Sequence, residues 1–275
     1  MRNRLNSAQK QHYYRELLSI GIPIIIGQLG TIVLGFADTL MIGHHSTEEL
    51  AAAGLVNNIF TLVLVSYMGF SYGLTPIIGR LYGMEKTNEI GGKVRNSLFA
   101  NIIVGLIFTL AMVILYFNLG NIGQPEELLS LIRPYFIINL VSILFVGISN
   151  TAKQFLDGIA YTKVAMWVMI FGNVVNIFGN WLLIYGIGPF PELGLAGAGI
   201  STTGSRILMA LIMVGVIAFG KDFKQYGRDI IKSSITKDDF KEMNRLGWPV
   251  ALQLAMESAA FTLSCVMVGW LGTIP

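Results

Sequence analysis

Long apolar runs broken by short polar segments set the pattern of this chain. They lie near 13–43, 50–76, 95–117, 130–156, 163–187, 196–219 and 240–271. Each is long enough to cross a bilayer, since roughly 20 residues at ~1.5 Å each span a ~30 Å hydrocarbon core. The breaks are rich in Gly, Asn, Pro or charge, as membrane loops are. The pattern predicts an all-α integral membrane protein with seven helical spans.

Composition closes off the alternatives. Hydrophobic residues make up 53% and charged residues 13% of the chain, and the mean hydropathy is +0.63. A soluble globular domain is excluded on these figures. The net charge of +3 says nothing about nucleic acid, and no nucleic-acid partner is expected. The position of the basic residues matters more. With the N-terminus cytoplasmic and one crossing per segment, 17 of the 19 Lys and Arg fall inside, leaving only Arg133 and Arg206. That bias orients a multi-pass protein in the cell (inner or plasma) membrane. The basic stretch MRNRLNSAQKQHYYR precedes an apolar segment too long for a signal-peptide core, so the first helix is expected to remain uncleaved. Cys265 is the single cysteine and forms no intrachain disulfide.

The polar exceptions inside the spans carry the candidate chemistry. From Leu17 to Ile42 the only polar residues are Ser19, Gln28, Thr31, Asp38 and Thr39. A carboxylate at mid-membrane costs roughly 2.5–3.5 kcal/mol on insertion scales, so an acid such as Asp38 is a functional candidate by default. Its bland alternative is a helix cap at the outer interface. Low dielectric penalises a bare carboxylate, which places Asp38 to take up and release a proton or a small cation. Asn176 and Asn180 are four apart and share a helix face. With Asp38 and Thr202 they offer only oxygen ligands, which suits a hard cation such as sodium and not zinc or copper. Taken alone, the asparagines serve equally well as interhelical glue, worth roughly 0.6–2 kcal/mol per contact, and Thr202 as packing. Glu257 is a second intramembrane acid. Arg206 requires either a buried partner or a snorkelling position. His44 and His45 stand in an outside loop without a third ligand, so no metal site is expected. GFSYG (69–73) and GLAGAGISTTG (194–204) read as close helix packing through small residues. Pro125 with Glu126 and Glu127 marks a helix start, and Thr236 with Asp239 has capping-box spacing. Neither a nucleophile–base constellation nor a phosphate loop is visible, and no cofactor is implied.

The first and last spans align at a constant offset. IGIPIIIGQLGTIVLGFADTLMIG (20–43) and LGWPVALQLAMESAAFTLSCVMVG (246–269) share Gly21/Gly247, Pro23/Pro249, Met41/Met267 and Gly43/Gly269. Internal repeats of this size are common in transporters, with the substrate site between them. The last span therefore reads as the opening of a second six-helix lobe.

On ADTLMIGHHSTEELAAAGL (37–55), QFLDGIAYTK (154–163), NIFGNWLLIYG (176–186) and ELGLAGAGIST (192–202) the chain resembles the multidrug and toxic compound extrusion (MATE) transporters, most closely their NorM-like branch. The resemblance implies one six-helix lobe of a twelve-helix transporter plus the seventh helix. Residues 1–220 would form the first lobe, 221–240 a cytoplasmic linker, and 241–275 the start of a second lobe whose remainder is missing. It further implies secondary active efflux of organic cations in exchange for protons or sodium. Asp38, Asn176, Asn180 and Thr202 match its ion-coupling positions, Glu257 an acid of its seventh helix, and Pro23 the proline associated with bending of its first helix. Two rivals remain at this level: a flippase for lipid-linked oligosaccharides of the same superfamily, and a transport-incompetent fragment.

Overall fold

The computed structural model describes residues 7–122 and 125–270, with side chains over 11–121 and 125–261. Its helices are α1 (Ser7–His45), α2 (Thr47–Tyr72), α3 (Leu74–Gly83), α4 (Thr87–Phe117), α5 (Glu126–Gly158), α6 (Thr162–Ile184), α7 (Gly194–Phe219), α8 (Lys224–Lys232) and α9 (Lys237–Trp270), with a short 3₁₀ turn at Leu119–Ile122. Among the described residues six stretches are long and apolar enough to cross a membrane, α2 and α3 counting as one, Thr47–Gly83. The seventh expected span coincides with α9. Cys265 and the other side chains beyond residue 261 lie outside the described residues.

Local chemistry sets the boundaries. Ser46 accepts hydrogen bonds from the backbone N–H groups of Glu48 and Glu49, and those two acids complement the helix dipole of α2. Pro125 precedes α5, with Glu126 and Glu127 in its first turn. His44 and His45 are the last turn of α1 rather than a loop. His45 is bridged on both ring nitrogens, to Glu49 at 2.8 Å and to Glu192 at 3.0 Å, so it ties the α1–α2 corner to the segment before α7. Gly186, in that connection, has φ +64°, and a Cβ there would meet the Glu192 backbone.

α5 is the central helix, packed by α2, α4 and α7, while α6 lies between α7 and α1. The interior is built around large rings placed against glycines. Tyr67 is 1% exposed and donates to the Asn101 carbonyl at 2.8 Å. Its ring fits only because Gly105 and Gly147 face it without side chains. Gly147→Ala would drive a methyl into the Tyr67 ring. Overpacking of this kind costs about 1–3 kcal/mol, and a lowered midpoint of thermal unfolding in detergent is the expected readout. The exterior is apolar: Leu17, Ile25, Ile32 and Phe36 on α1 all stand exposed, as a hydrocarbon-facing surface requires.

α9 packs along α2 through the small residues noted in GFSYG. A Cβ on Gly69 would lie 3.0 Å from Ala251 Cα, and one on Gly73 would lie 2.8 Å from the Gly247 nitrogen. At the basic end of the bundle this joint is closed by charge. Lys93 Nζ lies 2.7 Å from Asp239 Oδ1 and 2.5 Å from Glu242 Oε2, and Arg80 reaches Glu242 at 3.1 Å. The Thr236–Asp239 capping box is only half formed. Asp239 N–H donates to Thr236 Oγ1 at 3.3 Å, but the Thr236 N–H goes to Asn96 Oδ1 at 2.9 Å because Lys93 and Asn96 draw the Asp239 carboxylate toward α4.

Within the segment expected to be a plain linker, α8 forms a short helix against α4 and α7. Phe223 and Tyr226 stack edge-on against Tyr161 and Phe155. Arg95 donates to the Ile230 and Ile231 carbonyls, the free acceptors at the end of α8.

Candidate functional site

The face where α1, α6 and α7 meet is made by missing side chains. Gly172 leaves room for Met209, Gly179 for Ser201, and Gly30 for Asn173. These absences let the three helices approach closely, as small residues do between membrane helices. Ser201 Oγ then donates to the Asn176 carbonyl at 2.7 Å.

Into this junction point four of the residues singled out from the sequence. Asn180 Nδ2 donates to Asp38 Oδ1 at 2.5 Å across the α1–α6 interface. Asn176 and Asn180 are both fully buried, one turn apart. The Asn176 amide has two arrangements. In one it accepts from Asn180 at 3.2 Å and donates to Thr202 Oγ1 at 3.1 Å. Turned over, its nitrogen donates to Asp38 Oδ1 at 2.9 Å and its oxygen accepts from the Thr202 hydroxyl at 3.1 Å. Turned over it gives Asp38 a second amide donor, but sets its nitrogen 3.2 Å from Asn180 Nδ2, itself a donor. The Asn180 oxygen remains buried without a hydrogen-bond partner.

Asp38 and Thr202 open onto a cavity of about 440 Å³. α1 supplies Gln28 and Thr31 besides Asp38; α2 supplies Asn57, Phe60 and Met68; α5 supplies Tyr135, Asn139, Asn150 and Lys153. α6 and α7 complete it with Asn173, Arg206, Met209 and Met213. Tyr135 donates to Asn57 Oδ1 at 3.1 Å, and Asn150 donates to the Met68 carbonyl at 3.2 Å. Arg206 does not snorkel: its Nη1 donates to Ser142 Oγ at 2.7 Å from within the bundle. Lys153 is neutralised by Asp157 at 2.6 Å.

Glu257 does not line this cavity; it stands exposed on α9. Pro23 is buried within an α1 that continues through it. Asn57, Tyr135, Asn139 and Lys153 line the cavity without having stood out in the sequence. Their signal was present, since each is a polar group inside an apolar run, but many such groups only bond a neighbouring turn. Ser66 and Thr109 are of that kind.

The sequence profile of the MatE family matches residues 23–182, more than half of the chain. The chain belongs to the MatE family. A curated relative from Synechococcus sp., described as a probable multidrug resistance protein NorM, is 26% identical over 258 residues. That alignment takes in 94% of this chain and 56% of the relative. Among solved structures, this MatE chain is similar to a multidrug resistance MATE family transporter of the MOP superfamily in an outward-facing conformation. The TM-score is 0.81 at 23% identity, over 90% of this chain and 54% of that one. It is also similar to a MOP superfamily transporter from Pyrococcus furiosus described as having a binding pocket of reverse polarity, with a TM-score of 0.78 at 23% identity, covering 90% and 54%. The chain spans about half the length of the relatives it matches, and its fold is that of half a MATE transporter.

Proposed function

We propose that this chain supplies the first lobe and seventh helix of a secondary active multidrug efflux transporter. The protein exchanges protons or sodium for organic cations by alternating access. The observation that carries the reading is one carboxylate, Asp38, held by amide groups at the wall of a large cavity between membrane helices. In this reading residues 1–220 form the lobe, 221–240 the cytoplasmic linker, and 241–275 begin a second lobe that closes the other side of the cavity. The N-terminus is cytoplasmic in the cell membrane, and Glu257 and Pro23 act in the second lobe and at the bend of α1.

Asp38, Asn176, Asn180 and Thr202 hold the coupling ion. An arriving proton neutralises Asp38 directly. A sodium ion would use the Asp38 carboxylate and the unpartnered Asn180 oxygen, with Asn176 turning its own oxygen inward. Either event removes the negative charge that a cationic substrate needs, so the ion and the drug exclude one another. Exchange of one monovalent ion for one monocation moves no net charge across the membrane. A potential of 100 mV, worth ~2.3 kcal/mol per charge, then contributes nothing, and the ion gradient alone drives export.

Full-length protein in proteoliposomes loaded with a fluorescent organic cation tests this. Export is expected under an imposed proton or sodium gradient at zero potential. If export persists with both gradients collapsed and only a potential present, the exchange mechanism is wrong.

A further inference from the structure

A second cavity, of about 260 Å³, lies where α1 passes the turn between α5 and α6. It sits at the start of α6, whereas Asp38 meets Asn180 near the end of that helix. Ser19 forms its α1 wall, and Thr162 and Lys163 line the other side. No side chain caps this helix start, and the N–H groups of Thr162 and Lys163 have no acceptor among the described residues. Thr162 is 2% exposed, yet among the described residues its hydroxyl has no hydrogen-bond partner. Thr109 and Thr151 behave otherwise, returning theirs to the carbonyl one turn back at 2.7 and 2.8 Å. A buried hydroxyl left unpaired is costly unless a ligand completes it. Lys163 stands exposed beside it and forms no ion pair among the described residues, unlike Lys93 and Lys153. Ammonium, hydroxyl and helix-start N–H groups together suit an oxyanion. The Ser19 hydroxyl donates to the Glu16 carbonyl at 2.7 Å, which leaves its oxygen to accept from an alcohol.

The surroundings say which anion. Trp167, one turn along from Lys163, is 64% exposed, and Ile22 and Ile26 stand exposed on the α1 side. A free phosphate has no use for this apolar surface, whereas acyl chains lie along it. Basic pockets between membrane helices take anionic head groups on the same grounds. We propose that the cavity binds an anionic phospholipid, its phosphate on Thr162 and Lys163, its head-group alcohol on Ser19 and its chains along Trp167, Ile22 and Ile26. In the orientation proposed above, this lipid belongs to the cytoplasmic leaflet.

Native mass spectrometry of the full-length protein in detergent tests the site, with dioleoylphosphatidylglycerol and dioleoylphosphatidylcholine titrated separately. Choline turns a cation toward Lys163 and offers Ser19 no hydroxyl. Wild type is therefore expected to hold its first phosphatidylglycerol roughly tenfold more tightly than phosphatidylcholine. Lys163→Gln is expected to cut that preference about fivefold, and Thr162→Val to lower it as well. Phosphatidylcholine binding unchanged in both variants shows that the fold is intact. Lys224→Gln, a basic residue outside the cavity, is expected to leave the preference as it is. Equal affinities in wild type overturn the site, as does a preference undiminished in both cavity variants. An equal loss in Lys224→Gln reduces it to diffuse charge attraction and overturns it. If binding of both lipids falls in step in the cavity variants, Thr162 and Lys163 are scaffold and the site is overturned. Displacement of phosphatidylglycerol by inorganic phosphate at the same concentration makes it a site for soluble anions and overturns the lipid.

Discussion

Asp38→Asn is expected to abolish ion-driven export while leaving the protein folded. Asparagine has nearly the shape of aspartate, and its oxygen still accepts from Asn180 Nδ2, so the α1–α6 contact survives. What is lost is the charge and the protonatable oxygen. A neutral amide neither takes up a proton at physiological pH nor attracts sodium as a carboxylate does. Contacts to a charged group are worth about 1.5–3 kcal/mol, so ion affinity should fall roughly 10- to 150-fold. In the proteoliposome assay, gradient-driven export by Asp38→Asn should drop to the level of empty vesicles. Anisotropy titration of the organic cation should show that its binding no longer responds to pH or sodium. Wild-type export by this variant would move the coupling site away from Asp38.

The second large effect concerns the joint between α9 and the bundle. Lys93→Glu would place a third acid beside Asp239 and Glu242, which now share the lysine at 2.7 and 2.5 Å. These three side chains are only 17–22% exposed, so their pairing lies between the weak surface case and the costly buried one. A penalty of about 2 kcal/mol for losing it is reasonable on that scale, and the added repulsion raises it. Arg80, largely solvated, offsets little of this. Two kcal/mol shifts a two-state equilibrium roughly 30-fold, so amide hydrogen exchange over residues 237–247 should accelerate by about that factor. Pairing the change with Asp239→Lys restores a mixed-sign cluster and should restore protection. Unchanged exchange in Lys93→Glu would mean that backbone packing alone holds α9.

Much of this architecture was legible because a bilayer imposes a simple rule on sequence. The segment from 95 to 117 is apolar, and α4 ends at Phe117; the segment from 196 to 219 is apolar, and α7 ends at Phe219. Where the rule lapses, so did the reading. α8 is nine residues long and strongly charged, and its place is fixed by Phe223, Tyr226 and Arg95 contacting other helices. Helical spacing put Asn176 and Asn180 on one face, but nothing in a linear pattern brings Asp38 to them over 142 residues. The glycines of α6 and α7 were readable as small residues without revealing which neighbour each admits. Summed as a bias toward one side of the bilayer, the basic residues between the spans hide that Lys93 and Arg95 each have particular acceptors.

Where α2 and α9 come closest, Gly69, Gly73, Gly247 and Ala251 bring backbone against backbone. The attraction there comes from dispersion at short range, and a gap of 0.5–1 Å already forfeits a quarter to a half of such a well. Long side chains would follow a departing helix and soften the loss, whereas glycines have nothing to extend. At these glycines the contact therefore acts like a catch, let go within a fraction of an ångström, and not like a spring that yields by degrees.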